Sequence, residues 1–385
     1  MTRLAIVFLR GGADGLSLLS PADDADYRRL RPTQALDPAA VHRVDDTFGL
    51  HPAARRLAGF AHAGRLAMIP ACGFAGQTRS HFQAQATLEA GSEANTITGW
   101  VGRHLAATAG RTASPFRGVA VGTVSLPATF RGTSDALGTP DLSSLRLGVL
   151  RPARARQKAR RVTITPAGPG LDTAAVLADW SSSPSKVAVA GANAAVAVLD
   201  RIRSSGSEHP EPEGSSGVVA AGEDEFGPGE AGSVFAAGSQ VLDADLGTEV
   251  LMIDLGGWDT HNAQGTTDGR FAELVGSLDK GLGALLDRHD DLCIVVMTEF
   301  GRRVAENASG GFDHGRGSVA LVLGNRVNGG VRGSWPGLAA LDDGDVPAAN
   351  DLRVVQAEIA ETVLRTPKLD QVVPGVAGPR LDVVG

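Results

Sequence analysis

The sequence predicts an α/β protein built on a doubly wound, mostly parallel sheet with helices between the strands. Three observations point there. Short, wholly apolar runs of strand length recur along the chain, helical patterns separate them, and Gly, Asp and His gather just after the apolar runs. In sheets of this kind ligands bind beyond the carboxyl ends of the strands, so those post-strand segments mark the expected site.

The first strand is expected over residues 4–9 and runs into GGADG. A helical pattern over 52–63 leads to a second strand at 66–69, which ends in PACGFAGQTRSHF. The helix expected over 81–90 has Ser80 in front of it and Gln83 three residues later, the spacing of a capping box, and Gly91 behind it as a C-terminal stop. Another helix is expected over 100–109. Strands at 249–255 and 292–298 follow, ending in GGWDTH and EFGR, with a helix over 267–288 between them. Residues 319–323 read as a fifth parallel strand and 351–364 as a last helix.

Composition narrows the function. The chain has 385 residues, 43 acids, 36 bases and a formal charge of −7. Seven of the acids lie in 204–230, which contains no Lys or Arg; without them acids and bases balance. A neutral body argues against a general nucleic-acid binder, which needs surplus Lys and Arg to displace counterions. The 204–230 stretch has the Gly/Ser/Pro/Glu composition of a disordered insertion. Residues 142–171 carry seven bases and no acid, and read as a solvated strand pair or helix face. No apolar run reaches the ~18 residues of a transmembrane segment, and no secretory signal opens the chain, which as written reads as cytoplasmic. Cys72 and Cys293 sit far apart in apolar contexts and read as buried free thiols.

Asp14, Asp259, His261, Glu299 and His314 all lie beside predicted strand ends. Carboxylates together with imidazoles suit a divalent ion such as Zn, Mn or Mg, and the absence of nearby Cys argues against a structural zinc cage. Each has a plainer reading. Asp14 suits a turn, Asp259 a helix cap, Glu299 a surface pair with Arg302 or Arg303, and His314 a solvated loop. Ser80 at a helix start offers a hydroxyl beside free N–H groups and a dipole that favour an oxyanion, and a nearby cation would make it a nucleophile. Thr78 is an alternative. Arg79 suits an anion clamp, and His81 a ligand or proton carrier.

The segments FLRGGADGLSLLSP, LHPAARRL, TRSHFQAQATLEAG, GWVGRHL, DLGGWDTHNAQG and MTEFGRRVAENASGGFDHGRGSVALVLG together resemble the bacterial family called domain of unknown function 1501. The resemblance runs from Leu4 to about Leu364. That family is similar to the alkaline phosphatase and sulfatase superfamily. The resemblance implies a three-layer, alkaline-phosphatase-like α/β domain over residues 1–385 and a metal-dependent hydrolase of phosphate or sulfate esters. Superfamily members hold two divalent metals with an N-terminal aspartate, later Asp/His pairs and a nucleophile at a helix start. Here those roles fall on Asp14, on Asp259 with His261, on His314, and on the Thr78 to His81 stretch with Ser80 preferred. Where the superfamily commonly shows Asp-His-Gly, this chain has Glu299, Phe300 and Gly301. Phe300 cannot bind a metal, which leaves three alternatives: one ion, His81 in place of the missing imidazole, or a non-catalytic relative that binds an anionic ligand or a partner protein. Family members often begin with a twin-arginine export signal, which would make the protein periplasmic or secreted.

Overall fold

A computed structural model describes residues 2–74, 76, 78–93, 96–112, 114–141, 223–376 and 378–385. In chain order its main elements are β1 (Arg3–Leu9), α1 (Arg55–His62), β2 (Leu66–Gly73), α2 (His81–Ala90), α3 (Trp100–Ala107), β3 (Gly118–Val121), β4 (Ala136–Thr139), α4 (Gly229–Asp243), β5 (Val250–Leu255), α5 (Arg270–Arg288), β6 (Leu292–Thr298), β7 (Ser318–Gly324), β8 (Gly330–Val331), β9 (Asn350–Asp351) and α6 (Leu352–Thr362). Three two-residue strands, Leu19–Ser20, Gly49–Leu50 and His42–Arg43, form a separate small sheet.

Strands that are apolar on both sides need cover on both faces. In β1, alternation sends Ala5, Val7 and Leu9 into one core and Leu4, Ile6 and Phe8 into the other. The first core takes Leu57 from α1, Phe235 from α4, and Phe271 and Leu282 from α5. The second takes Leu88 from α2, Trp100 and Leu105 from α3, and Val355 and Ile359 from α6. Full burial of each such side chain contributes roughly 1.5–3 kcal/mol, so removing the helices from either face would leave the sheet without its main stabilisation.

The nine-stranded sheet runs β8-β2-β7-β6-β1-β5-β3-β4, with β9 also beside β2. All its pairings are parallel except those of β7, which is antiparallel to both β2 and β6. The strand expected at 319–323 therefore exists but points the other way. Its first residue, Ser318, pairs with Cys72 at the carboxyl end of β2. Reversal thus places the segment before β7 at the same edge as the segments after β1, β2, β5 and β6. Had β7 been parallel, His314 would lie at the opposite edge.

β3, β4 and α4 are additions to the sequence reading. Residues 142–171 lie outside the described residues, as do 204–222. The end of the acidic stretch is described: Glu223–Phe226 is a helical turn and Gly229 opens α4. Both cysteines are buried and free. Among the described residues, no helix is long and apolar enough to cross a membrane.

Candidate metal centre

The loops after β1, β5 and β6 are drawn together by one buried guanidinium. Arg302 donates through Nε to the Gly12 carbonyl (2.6 Å), through Nη1 to the Phe312 carbonyl (2.8 Å), and through Nη2 to the Gly11 and Trp258 carbonyls and to Asp259 Oδ1 (2.6 Å). Close approach requires glycine at this junction. A Cβ at Gly11, which has φ +124°, would stand 2.4 Å from the Asp259 nitrogen, and one at Gly12 would stand 2.4 Å from the Phe300 ring.

Three histidines gather around Asp259. His81 starts α2, His261 follows β5 and His314 precedes β7. Ligand atoms of His81, Asp259 and His314 all lie within 4.8 Å of one another. His261 Nε2 is 3.2 Å from Asp259 Oδ1 and 3.0 Å from His314 Nε2. Each ring is held from behind through Nδ1, by Glu299 Oε1 for His81 (2.8 Å), Asp313 Oδ1 for His261 (3.2 Å) and the Arg79 carbonyl for His314 (3.0 Å).

Those backing groups decide the tautomers. A carbonyl or an ionised carboxylate only accepts, so each Nδ1 carries the proton and each Nε2 of a neutral ring presents its lone pair. Both carboxylates are ionised. Burial works to raise Glu299, but hydrogen bonds from Gln85, His81 and the Gly11 N–H hold it below the ordinary range. The Asn307 amide and His261 do the same for Asp313. Burial lowers His314, keeping it neutral. Asp259 is pushed up by burial and brought down further by the Arg302 guanidinium, so it too is charged. Two lone pairs facing each other at 3.0 Å repel unless a cation or proton lies between them. The donor set therefore fits a divalent ion. Side chains of the four residues are 23–48% exposed, which leaves the cluster reachable from solvent.

The remaining sequence candidates are placed differently. Asp14 is not brought to the cluster. It is fully buried, with Arg31 Nη1 (2.7 Å), Ser17 Oγ (2.6 Å) and Gln264 Nε2 (2.9 Å) on one oxygen and Arg31 Nη2 (3.0 Å) on the other, so its charge is already met by a buried guanidinium. Glu299 stands behind His81 rather than among the ligand atoms, and the surface pair with Arg302 or Arg303 is replaced by burial against Gly11, His81 and Gln85. Ser80 is the N-cap of α2, yet its side chain makes no capping bond, and its N–H donates to Thr78 Oγ1 (3.1 Å), so the expected capping box does not form. Arg79 turns its guanidinium to Asp343 and Asp345 and contributes its carbonyl to the site. Phe300 is fully buried, with its ring 4.8 Å from His81 and 4.7 Å from His314, a wall behind the imidazoles. Arg302, Arg31 and the backing role of Asp313 had no signal in the sequence, because each depends on contacts between distant loops.

Residues 216–372 match a family model described as "Protein of unknown function (DUF1501)". The match supports the family resemblance and contains Asp259, His261, Glu299, Arg302 and His314. No curated protein matches the chain. Two solved structures are similar at low scores. "Crystal structure of Ps i-CgsB in complex with k-i-k-neocarrahexaose" is 11% identical with a TM-score of 0.38, and "Crystal structure of Ps i-CgsB" is 12% identical with a TM-score of 0.35. Each alignment covers 98% of this chain and 75% of the other.

Proposed function

We propose that the protein is a metal-dependent hydrolase of phosphate or sulfate esters, with the sheet and its two helical layers in an alkaline-phosphatase-like arrangement. The observation that carries this reading is the set of imidazole Nε2 atoms gathered on Asp259, each ring backed through Nδ1 by an oxygen acceptor. Outer acceptors of this kind are the usual companions of metal-bound histidine. His81, Asp259, His261 and His314 would hold the ion. Three nitrogens and one carboxylate suit Zn or Mn better than Mg, which favours oxygen. An ion bound there supplies positive charge to polarise an ester oxygen. With Asp14 bound to Arg31, these residues provide for one ion.

The chain itself supplies the rest. α2 begins next to the cluster, and its unpaired N–H groups and dipole favour an oxyanion. Ser80, beside His81 and free of a capping bond, is the nucleophile in this reading. Arg302 fixes Asp259, and Phe300 keeps water from the back of the imidazoles. Metal analysis of the purified protein, with turnover of aryl phosphates and aryl sulfates measured with and without EDTA, tests the proposal. Bound Zn or Mn and EDTA-sensitive turnover are expected. Absence of both, under every divalent ion tried, refutes it.

Phe300 and the commitment of Asp14 favour a second reading, a non-catalytic relative that binds an anionic ligand or a partner protein. Ser80→Ala separates the two. It abolishes turnover under the first, whereas under the second there is no turnover to lose.

A further inference from the structure

Three arginines converge beside the metal cluster on one buried carboxylate. Asp345 has a side chain with no exposure, and its Oδ2 accepts from Arg79 Nε (3.0 Å) and Nη2 (2.6 Å). Arg303 Nε lies 3.7 Å from Oδ1 and Arg316 Nε 3.8 Å from Oδ2, and Oδ1 has no hydrogen-bond partner. All three arginines sit on the strands of chain that build the metal centre. Arg79 lends its carbonyl to His314, Arg303 follows Arg302, and Arg316 lies two residues after His314. Their side chains are 34–36% exposed, so their outer nitrogens reach solvent.

One buried carboxylate balances one guanidinium. The other two positive charges are met by Asp342 and Asp343, which are 51% and 68% exposed on the turn leading into Asp345. Asp343 bridges Arg79 Nη2 (3.0 Å) and Arg303 Nη2 (3.4 Å), and Asp342 pairs with Arg316. Exposed pairs of this sort are held weakly. An oxyanion that matches the planar fork of two or three guanidiniums competes well with them.

We propose that Arg79, Arg303 and Arg316 form a second anion-binding subsite, covered by Asp342 and Asp343, which selects substrates bearing a sulfate, phosphate or carboxylate besides the ester that is cleaved. This rests on the hydrolase reading for its purpose but not for its binding. Calorimetric titration of inorganic phosphate into EDTA-treated protein tests it without any metal. Arg303→Gln/Arg316→Gln is expected to weaken binding at least tenfold, and Asp343→Asn, at an exposed position, to tighten it about threefold. Phosphate affinity indifferent to both changes overturns the subsite. If the double variant does not fold, Asp343→Asn decides alone. Metal-loaded Ser80→Ala protein, titrated with alkanediol bisphosphates of increasing length, separates a substrate group from free phosphate. Tighter binding of one length than of the alkyl monophosphate supports the proposal, and equal affinity at every length overturns it. Metal binding without arginine-dependent phosphate binding removes the subsite alone. The converse result removes the hydrolase reading alone.

Discussion

Replacing Glu299 by Gln isolates the backing carboxylate from the rest of the proposed metal centre. Glu299 Oε1 accepts from His81 Nδ1 at 2.8 Å, the Gly11 N–H at 2.9 Å and Gln85 Nε2 at 3.0 Å. Glutamine has nearly the same shape. It can turn its carbonyl to these donors and its amide nitrogen to Thr298 Oγ1, which stands 3.2 Å from Oε2. What disappears is the negative charge. Hydrogen bonds to an ionised acceptor are roughly twice as strong as neutral ones, and a carboxylate behind an imidazole makes Nε2 a better donor to metal. Loss of such a partner lowers metal affinity roughly 10–100-fold, or about 1.4–2.7 kcal/mol. Stability of the metal-free fold should fall by no more than about 1–2 kcal/mol, since the three donors on Oε1 keep their acceptor and the Thr298 hydroxyl keeps the Leu9 carbonyl. Competition of the protein with a chromophoric chelator for Zn measures the affinity, and thermal melting of the metal-free variant controls for folding. His81→Ala removes the ligand itself and should cost more. Wild-type affinity in Glu299→Gln, alongside a clear loss in His81→Ala, would remove Glu299 from the orienting role; wild-type affinity in both would remove His81 from the ligand set.

Two further outcomes are expected away from the centre. Glu249 is gripped by Arg117 through Nε (2.7 Å) and Nη2 (3.0 Å), with His104 Nε2 at 3.6 Å. Burial opposes its charge, but His104 and Arg117 together bring its pKa down to about 2. A depressed carboxylate contributes stability above its unfolded value that is lost as pH falls through the folded one. The advantage over Glu249→Gln in urea unfolding should therefore shrink from about 3 kcal/mol at pH 7 to about 1.4 kcal/mol at pH 3, and a gap that stays constant over that range refutes the assignment. Burial pushes the Cys293 thiol up to about 12 and the Cys72 thiol higher. Neither should react with Ellman's reagent near pH 8 in the folded protein, and both should react in denaturant; prompt reaction of either in the native state would mean that its core is open to solvent.

The long elements were legible because their pattern is local. β6 and α2 have the bounds the sequence suggested, β1, β5 and α5 differ only at their ends, and β2 runs on through Pro70–Gly73, twice its expected length. β3 and β4 were missed because four residues each, GVAV and ALGT, give too short an alternation to separate from a loop. α4 is absent from the sequence reading because its first turn reads as the tail of the acidic, glycine-rich stretch, while the apolar face that holds it, Val234, Phe235, Ala237, Val241 and Leu242, comes later and is buried in the core. The direction of β7 is a different matter, because the sequence reading makes it parallel and the pairing makes it antiparallel. Both its faces are buried, so its composition is the same whichever way it runs, and direction comes from pairing with β2 and β6.

That direction also explains which site residues the sequence identified. Asp259, His261 and His314 stand out in the sequence as donors near strand ends, and His81 as a ligand or proton carrier at a helix start; a reversed β7 is what allows His314, which precedes its strand, to join the three that follow theirs. Asp14 and Glu299 satisfy the same sequence criterion and do not join, because the criterion sees the donor and not the group that claims it. Arg31, 17 residues away, takes Asp14, and His81, 218 residues away, takes Glu299. A carboxylate at a strand end can serve as a ligand only where an oxygen is left over after the buried cations and donors around it have taken theirs. In this chain, with 36 bases against 43 acids and several arginines wholly buried, each candidate carboxylate has to be checked against the guanidiniums before it is counted toward a metal. Asp259 passes that check: Arg302 claims Oδ1 at 2.6 Å, the oxygen that also stands 3.2 Å from His261 Nε2 and 3.4 Å from His314 Nε2, and leaves Oδ2, which faces His81 Nε2 at 3.8 Å.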